Sequence, residues 1–348
     1  MDIVKLIPAY KSIIWGGNKL KTEYGKDTDL SPLAETWELS FHKDGKSLLE
    51  NGTPLCDVAT EEDLGDNCKG FDFFPVLVKF IDAQDKLSVQ VHPSDEYALK
   101  HENSLGKTEM WYIVDADEGA GIYLGFEKDI TREQFEKAIE EKKLTDFLKF
   151  IPVSKGESYF IPSGTIHAIC AGCLICEIQQ NSNITYRVYD YGRRDKNGNE
   201  RELHVAKAMD VSDLTAIEPK ELNIQTEDGL LKGINKFFTA TLVEINGSKA
   251  FKTDKNTFRC FTCLEGEGKI GDVNINKGET VFVPATASAF DASGNFSAIM
   301  TTIRKYYLHN DGKSFRVEND LGQTIATNDG MDALLNTCGL TVSDIENL

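Results

Sequence analysis

KGESYFIPSGTIHAI (155–169) and KGETVFVPATASAF (277–290) are the stretches on which the reading of the fold turns. In each, Lys-Gly precedes a short run of β-branched and aromatic residues, and a proline follows the glycine by six positions: Gly156 to Pro162, Gly278 to Pro284. Such self-similarity marks two copies of one structural unit. The first copy continues with Gly164 and His167, where the second has Thr286 and Ala289. Upstream of the second copy, LEGEGKI carries Gly266-x-Gly268, the signal of a turn between paired strands. The expectation is a mainly β chain of two jelly-roll barrels with a few short helices, one barrel holding a polar site and the other lacking it.

Working outward, short strand-like runs dominate: TWELSF (36–41), FFPVLVKFI (73–81), KLSVQVH (86–92), EMWYIV (109–114), GIYLGF (121–126), ESYFIP (157–162) and CLICEIQQ (173–180). They are rich in β-branched and aromatic residues and bounded by Gly, Pro, Asp or Asn. A helix is predicted at about 131–143, where Thr131 and Gln134 have capping-box spacing and Phe135 and Ile139 share a face. A second is predicted to start at Ser94, after Pro93, and a third over 331–338. The polar stretch 213–227 reads as a junction, and strands resume from 237 to about 304. The spacing Gly–x5–Pro–x–Gly–x2–His resembles the second half of the cupin signature. The expected organisation is therefore a site-bearing cupin domain over 1–225 with a helical insertion near 131–150. A cupin domain without the metal site follows over 226–305, then an extension over 306–348.

The chain has 348 residues, with 38 Lys+Arg against 56 Asp+Glu and a formal charge of −18. A pI near 4.8 argues against DNA or anionic membrane as partners, because the summed field repels phosphates. Mean hydropathy of −0.32 and the lack of a long apolar run argue against a membrane span, and the start MDIVKLIPAYKS lacks a secretory pattern. With eight cysteines too sparse for a disulfide scaffold, the expected compartment is the cytoplasm. Cys170, Cys173 and Cys176, and likewise Cys260 and Cys263, stand three apart on strand-like segments. Neighbours in each set therefore point to opposite faces and read as structural thiols. No self-complementary apolar strip is evident, so the expected state is a monomer.

In KLSVQVHP (86–93), strict alternation puts Lys86, Ser88, Gln90 and His92 on one face and Leu87, Val89 and Val91 on the other. Gln90 and His92 can therefore aim at one metal ion, joined by Glu109 at the mouth of the next strand and His167 from the repeat. Two imidazoles, a carboxylate and an amide form an N/O set without thiolate, which suits an exchangeable position better than a closed structural zinc site does. His42, His101, His204 and His309 lack such company and read as structural or surface residues. Trp15 and Trp37 read as core packing.

Taken in order, WGG (15–17), PLAETWELS (32–40), KLSVQVHP (86–93), GKTEMWYI (106–113), IPSGTIHAI (161–169), EIQQNSNITYRVYDYGR (177–193) and HVAKAMDV (204–211) resemble the type I mannose-6-phosphate isomerases in their short bacterial form. The resemblance spans about residues 1–305. It implies one Zn(2+) per chain on Gln90, His92, Glu109 and His167, a catalytic Arg187, and a lysine at Lys107 two residues before the glutamate ligand. The implied substrates are mannose 6-phosphate and fructose 6-phosphate, interconverted through an enediol(ate). A divalent metal would stabilise the developing oxygen charge, and either Lys107 or a water on the metal would carry the proton. Glu177 would position a hydroxyl, relay a proton or support a histidine. Two rival readings keep the pocket: a non-haem iron oxygenase of bicupin type, and a sugar-binding regulatory cupin without turnover.

Independently of the resemblance, four of the chain's eight arginines fall within 187–201, and 186–207 holds six basic against four acidic residues. An acidic protein that handles a sugar phosphate needs such an island, since the planar guanidinium fork pairs well with phosphate. The bland alternative is a basic hairpin around residues 195–199, since KNGN (196–199) is a turn sequence. Arg187 is expected to face the site, with Arg193, Arg194 and Arg201 mostly solvated and one of them reaching the phosphate. Ser88 and Lys86 are the other phosphate candidates.

Overall fold

The computed structural model describes residues 1–194, 197–219, 221–338 and 340–346. The chain is mainly β. A six-stranded sheet runs in the order Ala9–Lys11, Glu35–Leu39, Val76–Ala83, Cys173–Gln180, Glu109–Ala116, Ser158–Ile161. Facing it is a five-stranded sheet ordered Tyr186–Tyr189, Val89–Val91, His167–Ile169, Gly121–Phe126, Leu148–Pro152. Between them lies a core to which one sheet gives Ile81, Trp111 and Ile175 and the other Ile122, Leu124 and Ile169.

The six-stranded sheet is buried on both faces, which is why FFPVLVKFI reads as a continuous apolar run rather than an alternating one. Its outer face, with Val78, Phe80, Met110 and Cys176, packs on Phe258, Cys260, Phe282 and Ile299 from the second half of the chain. That half forms an eight-stranded sheet around its own core of Val243, Phe261, Val281, Phe296 and Met300. The first strand, Val4–Leu6, lies in this second sheet, with Val4 opposite Phe282. A buried ion pair fastens the halves: Lys26 Nζ donates to Glu38 Oε1 at 2.5 Å and to the Gly278 carbonyl, while Thr280 donates to Glu38 Oε2.

The helices form where capping chemistry places them. Thr131 and Gln134 close a capping box on Arg132–Glu140, and Ser94 Oγ accepts from Tyr97 N at the start of Asp95–Glu102. Phe135 packs with Ala208 and Met209 of Val205–Val211 against the outer face of the five-stranded sheet. The segment after 305 is a four-stranded sheet with the helix Met331–Cys338, whose core includes Leu231 and Ile234 of the neighbouring sheet. No helix is long and apolar enough to cross a membrane among the described residues. Cys173 and Cys176 project into different cores, as do Cys260 and Cys263.

Gly266-x-Gly268 is not the expected turn. Both glycines lie inside the long strand Arg259–Ile270, where a Cβ would meet the Asn295 and Ser293 carbonyls at 2.1 and 2.2 Å, so they permit close strand approach. The repeat glycines do share one conformation, with φ of +95° at Gly156 and +84° at Gly278. Their surroundings differ: a Cβ at Gly278 would meet the Tyr24 carbonyl at 2.3 Å, whereas one at Gly156 meets only the Tyr112 hydroxyl at 4.0 Å. Gly156→Ala should therefore lose about 1–2 kcal/mol from backbone strain alone, and Gly278→Ala about 3 kcal/mol or more through added overpacking. Equal losses in urea titrations would contradict this.

Candidate active site

Register assembles the site. In the five-stranded sheet, Gln90 lies opposite Arg187 on one neighbour and His167 on the other, so all three share a face. In the facing sheet, Glu177 lies between Lys79 and Trp111, and Glu109 opens the strand Glu109–Ala116 opposite Gln179. His92 ends the run Val89–Val91 plus one, and its ligand atoms fall with those of Glu109 and His167 within 4.8 Å of one another, all three residues buried.

Both imidazoles are oriented by backbone. His92 Nδ1 is 2.7 Å from the Ile184 carbonyl and His167 Nδ1 is 2.8 Å from the Thr165 carbonyl. A carbonyl only accepts, so Nδ1 carries the proton in each ring and the Nε2 lone pair turns inward. These inward atoms stand 3.5 and 3.4 Å from the two Glu109 oxygens. Burial, with Lys107 beside them, pushes His92 well below the ordinary imidazole value and His167 down to about 4, so both rings are neutral. Burial also raises the Glu109 carboxyl, only partly offset by Lys107. Glu109 Oε1 is buried without a hydrogen-bond partner. Two inward lone pairs and an unsatisfied carboxylate oxygen fit a divalent cation with N/O preference. Gln90 touches this cluster through Nε2, 3.3 Å from His167 Nε2.

Lys107 Nζ donates to Glu109 and to His92 Nε2, the latter at 3.0 Å, and lies 3.9 Å from Glu177 Oε1. Among the described residues Glu177 makes no hydrogen bond to a histidine. It accepts from Trp111 Nε1 at 2.9 Å and pairs with Lys79 at 3.4 Å. Burial alone would raise its pKa, but Lys107, Lys79 and Trp111 outweigh that and hold the carboxylate ionised. Lys79 likewise gains from Glu35 and Glu177 more than burial takes away.

A cavity of about 300 Å³ opens beside these groups. Lys79, Lys107 and Glu177 line its buried end, Ser88 and Gln90 a wall, and the partly exposed Arg187 and Arg201 its mouth. Lys86 lies elsewhere: it is exposed, with its ammonium 3.8 Å from the Tyr191 ring centroid. The regular strand begins only at Val89, so alternation does not extend back to residue 86, and Leu87 lines the cavity too. Arg194 is exposed and pairs with Glu200, whereas Arg193 is largely covered. Asp195 and Lys196, at the tip of the expected basic hairpin, lie outside the described residues. His204 is tied to the site strand, its Nδ1 accepting from Arg187 N at 3.2 Å. Trp15 is buried yet borders the cavity, and Trp37 is buried with its Nε1 donating to Glu35. Sequence reasoning missed Lys79 and Trp111. Lys79 carried a signal, as the one charge in the apolar run FFPVLVKFI (73–81).

Two family descriptions match the chain: "Phosphomannose isomerase type I, catalytic domain" over residues 3–120 and "Mannose-6-phosphate isomerase, cupin domain" over residues 231–303. The chain is 37% identical over 303 residues to a probable mannose-6-phosphate isomerase of Bacillus subtilis (strain 168), covering 83% of this chain and 95% of that protein. It is 37% identical over 298 residues to a mannose-6-phosphate isomerase of Streptococcus mutans serotype c, covering 82% and 93%. Among solved structures, the mannose 6-phosphate isomerase from Bacillus subtilis matches with a TM-score of 0.80 and 32% identity, over 86% of this chain and 99% of that one.

Proposed function

The chain belongs to the type I phosphomannose isomerase family, and we propose from that premise that it interconverts mannose 6-phosphate and fructose 6-phosphate through an enediol(ate), with zinc as its metal. The observation that carries this reading is a cavity lined by Gln90 and Lys107, which touch the inward-turned His–Glu–His cluster, and by Arg187 and Arg201 at its mouth. The same reading makes the chain a cytoplasmic monomer of two cupin-type barrels, 1–225 and 226–305, with 306–348 appended. The facing sheets and the separate core of the eight-stranded sheet support the two-barrel part of it.

His92, Glu109 and His167 would hold the ion. Gln90 would join through Oε1, its amide turned over from the orientation that donates to His167. When bound, a divalent cation stabilises the negative charge that develops on the substrate's C1 and C2 oxygens. The reaction takes a proton from C2 and returns it at C1, while a second proton passes from the C2 oxygen to the C1 oxygen. Lys107 would carry the carbon proton, a reading that its burial and its position on the cavity lining support. Glu177, 3.9 Å away, keeps an anionic partner for Lys107 when a cation takes the lone pairs of His92 and Glu109. Arg187 offers its guanidinium to the phosphate.

Metal analysis combined with NMR of mannose 6-phosphate in deuterated water tests the proposal. The expected result is one zinc per chain, fructose 6-phosphate formation and deuterium exchange at C2. Metal-loaded protein that gives neither product nor exchange would refute it. Arg187→Ala should keep its metal and lose about 100-fold in kcat/KM. Turnover near wild type would remove Arg187 from the site.

A further inference from the structure

Asp190 follows the site strand Tyr186–Tyr189 and is 5% exposed. Its carboxylate takes four charged hydrogen bonds. Arg201 donates Nε to Oδ2 at 2.7 Å and Nη2 to Oδ1 at 2.6 Å, while Arg193 donates Nε and Nη2 to Oδ1 at 3.2 and 2.5 Å. Resting on the reading of the substrate as a sugar phosphate, we propose that Asp190 is a positioning residue that fixes Arg201 at the cavity mouth as a second cation beside Arg187 for the phosphate.

The arrangement has the right charge and stiffness. Arg187, Arg193 and Arg201 share one buried carboxylate, because the partner of Arg187 Nη1 is the Glu202 backbone carbonyl rather than an acid. Two other acids, Asp85 at 3.5 Å from Arg193 and Glu202 beside Arg187, are exposed, so solvent screens their charge. The group therefore keeps a positive excess at the mouth, suited to a phosphate dianion. Bidentate pairing uses Nε and Nη2 of Arg201 and leaves Nη1 out of it, so a planar fork is oriented before the ligand arrives. Arg193 extends the clamp: its Nη1 donates to the Lys86 carbonyl at 2.5 Å and tethers the segment that leads to Ser88 and Gln90. Asp190 itself is absent from the cavity lining, so it acts through the arginines.

The test uses Asp190→Asn and Arg201→Met in the metal-loaded full chain; the second variant leaves the Asp190–Arg193 pair intact should the first disturb folding. Sorbitol 6-phosphate, which has no carbonyl to isomerise, serves as the calorimetric probe. Both variants should raise its Kd and the KM for mannose 6-phosphate about tenfold. Metal content should be unchanged and kcat should stay within about threefold. Asp190→Glu should recover part of the affinity. Unchanged Kd and KM in both variants, or a fall in kcat at constant KM, would overturn the clamp while wild-type turnover leaves the isomerase reading intact. A wild-type protein that binds the probe through this clamp yet isomerises nothing would instead overturn the functional reading and support the clamp.

Discussion

His167→Ala should leave a folded protein that retains less than a tenth of its metal after dialysis and loses at least about 1,000-fold in kcat/KM, roughly 4 kcal/mol of transition-state stabilisation. His167 is central to both sheets' contribution. Its Nε2 lies 3.4 Å from Glu109 Oε1, its own strand pairs with that of Gln90, and its ring centroid is 4.8 Å from that of His92. Removing it leaves one imidazole and one carboxylate among the buried ligands. Loss of a mere supporting contact to a metal ligand already costs 10–100-fold, so loss of a ligand should exceed that. The fold should survive, because the His167 side chain is anchored by a local bond to the Thr165 carbonyl rather than by an ion pair that spans the halves. Full metal occupancy with near wild-type turnover would exclude His167 as a ligand.

Asp320→Ala should have the largest effect on stability, about 3–5 kcal/mol, read as a lower urea midpoint. Asp320 belongs to the segment after 305, beyond both family matches, yet its Oδ2 accepts from Asn67, Asn256 and Arg304 at 2.8, 2.9 and 3.3 Å. Arg304 and Arg259 are also held by Asp254, at 2.8 and 3.2 Å, in a largely buried network. Deleting Asp320 leaves two buried guanidiniums with one carboxylate, and an unpaired buried charge costs far more than its pair contributes. A loss below about 1 kcal/mol would show that the Asp320 network adds little to the docking of the appended segment, leaving it to contacts such as those with Leu231 and Ile234.

Where local chemistry decides an element, the sequence announces it. The strands Gly121–Phe126 and Cys173–Gln180 and the helix Met331–Cys338 fall on the residues read for them, and Thr131 and Ser94 cap the helices they were expected to start. Misreadings arise where a neighbour across the sheet decides instead. Gly266 and Gly268 look like a turn in isolation, but the backbone of Phe290–Thr302 presses against them within a long ladder. Residues 86–88 continue an alternating pattern but precede the regular strand, held at Leu87 by a bond to the Ile169 carbonyl, and Lys86 leaves the face shared by Gln90 and His92. At the site, the His–Glu–His cluster was legible because each residue sits in a motif with its own spacing. Lys79 was not, since its role comes from Glu35 and Glu177 on adjacent strands. The pairing of Arg201 with Asp190 across eleven residues follows no local period either.

The placement of Val4–Leu6 in the second sheet has a consequence for the order of synthesis. Its partner Thr280–Val283 is made only after the whole first half and most strands of the second sheet. At about 5–20 residues per second, the first strand waits roughly 15–60 s for that partner. During the same interval Val78, Phe80 and Met110 lack the cover that Phe282 and Ile299 later provide. The apolar sheet face thus gains its full cover only after residues 280–302 have been made.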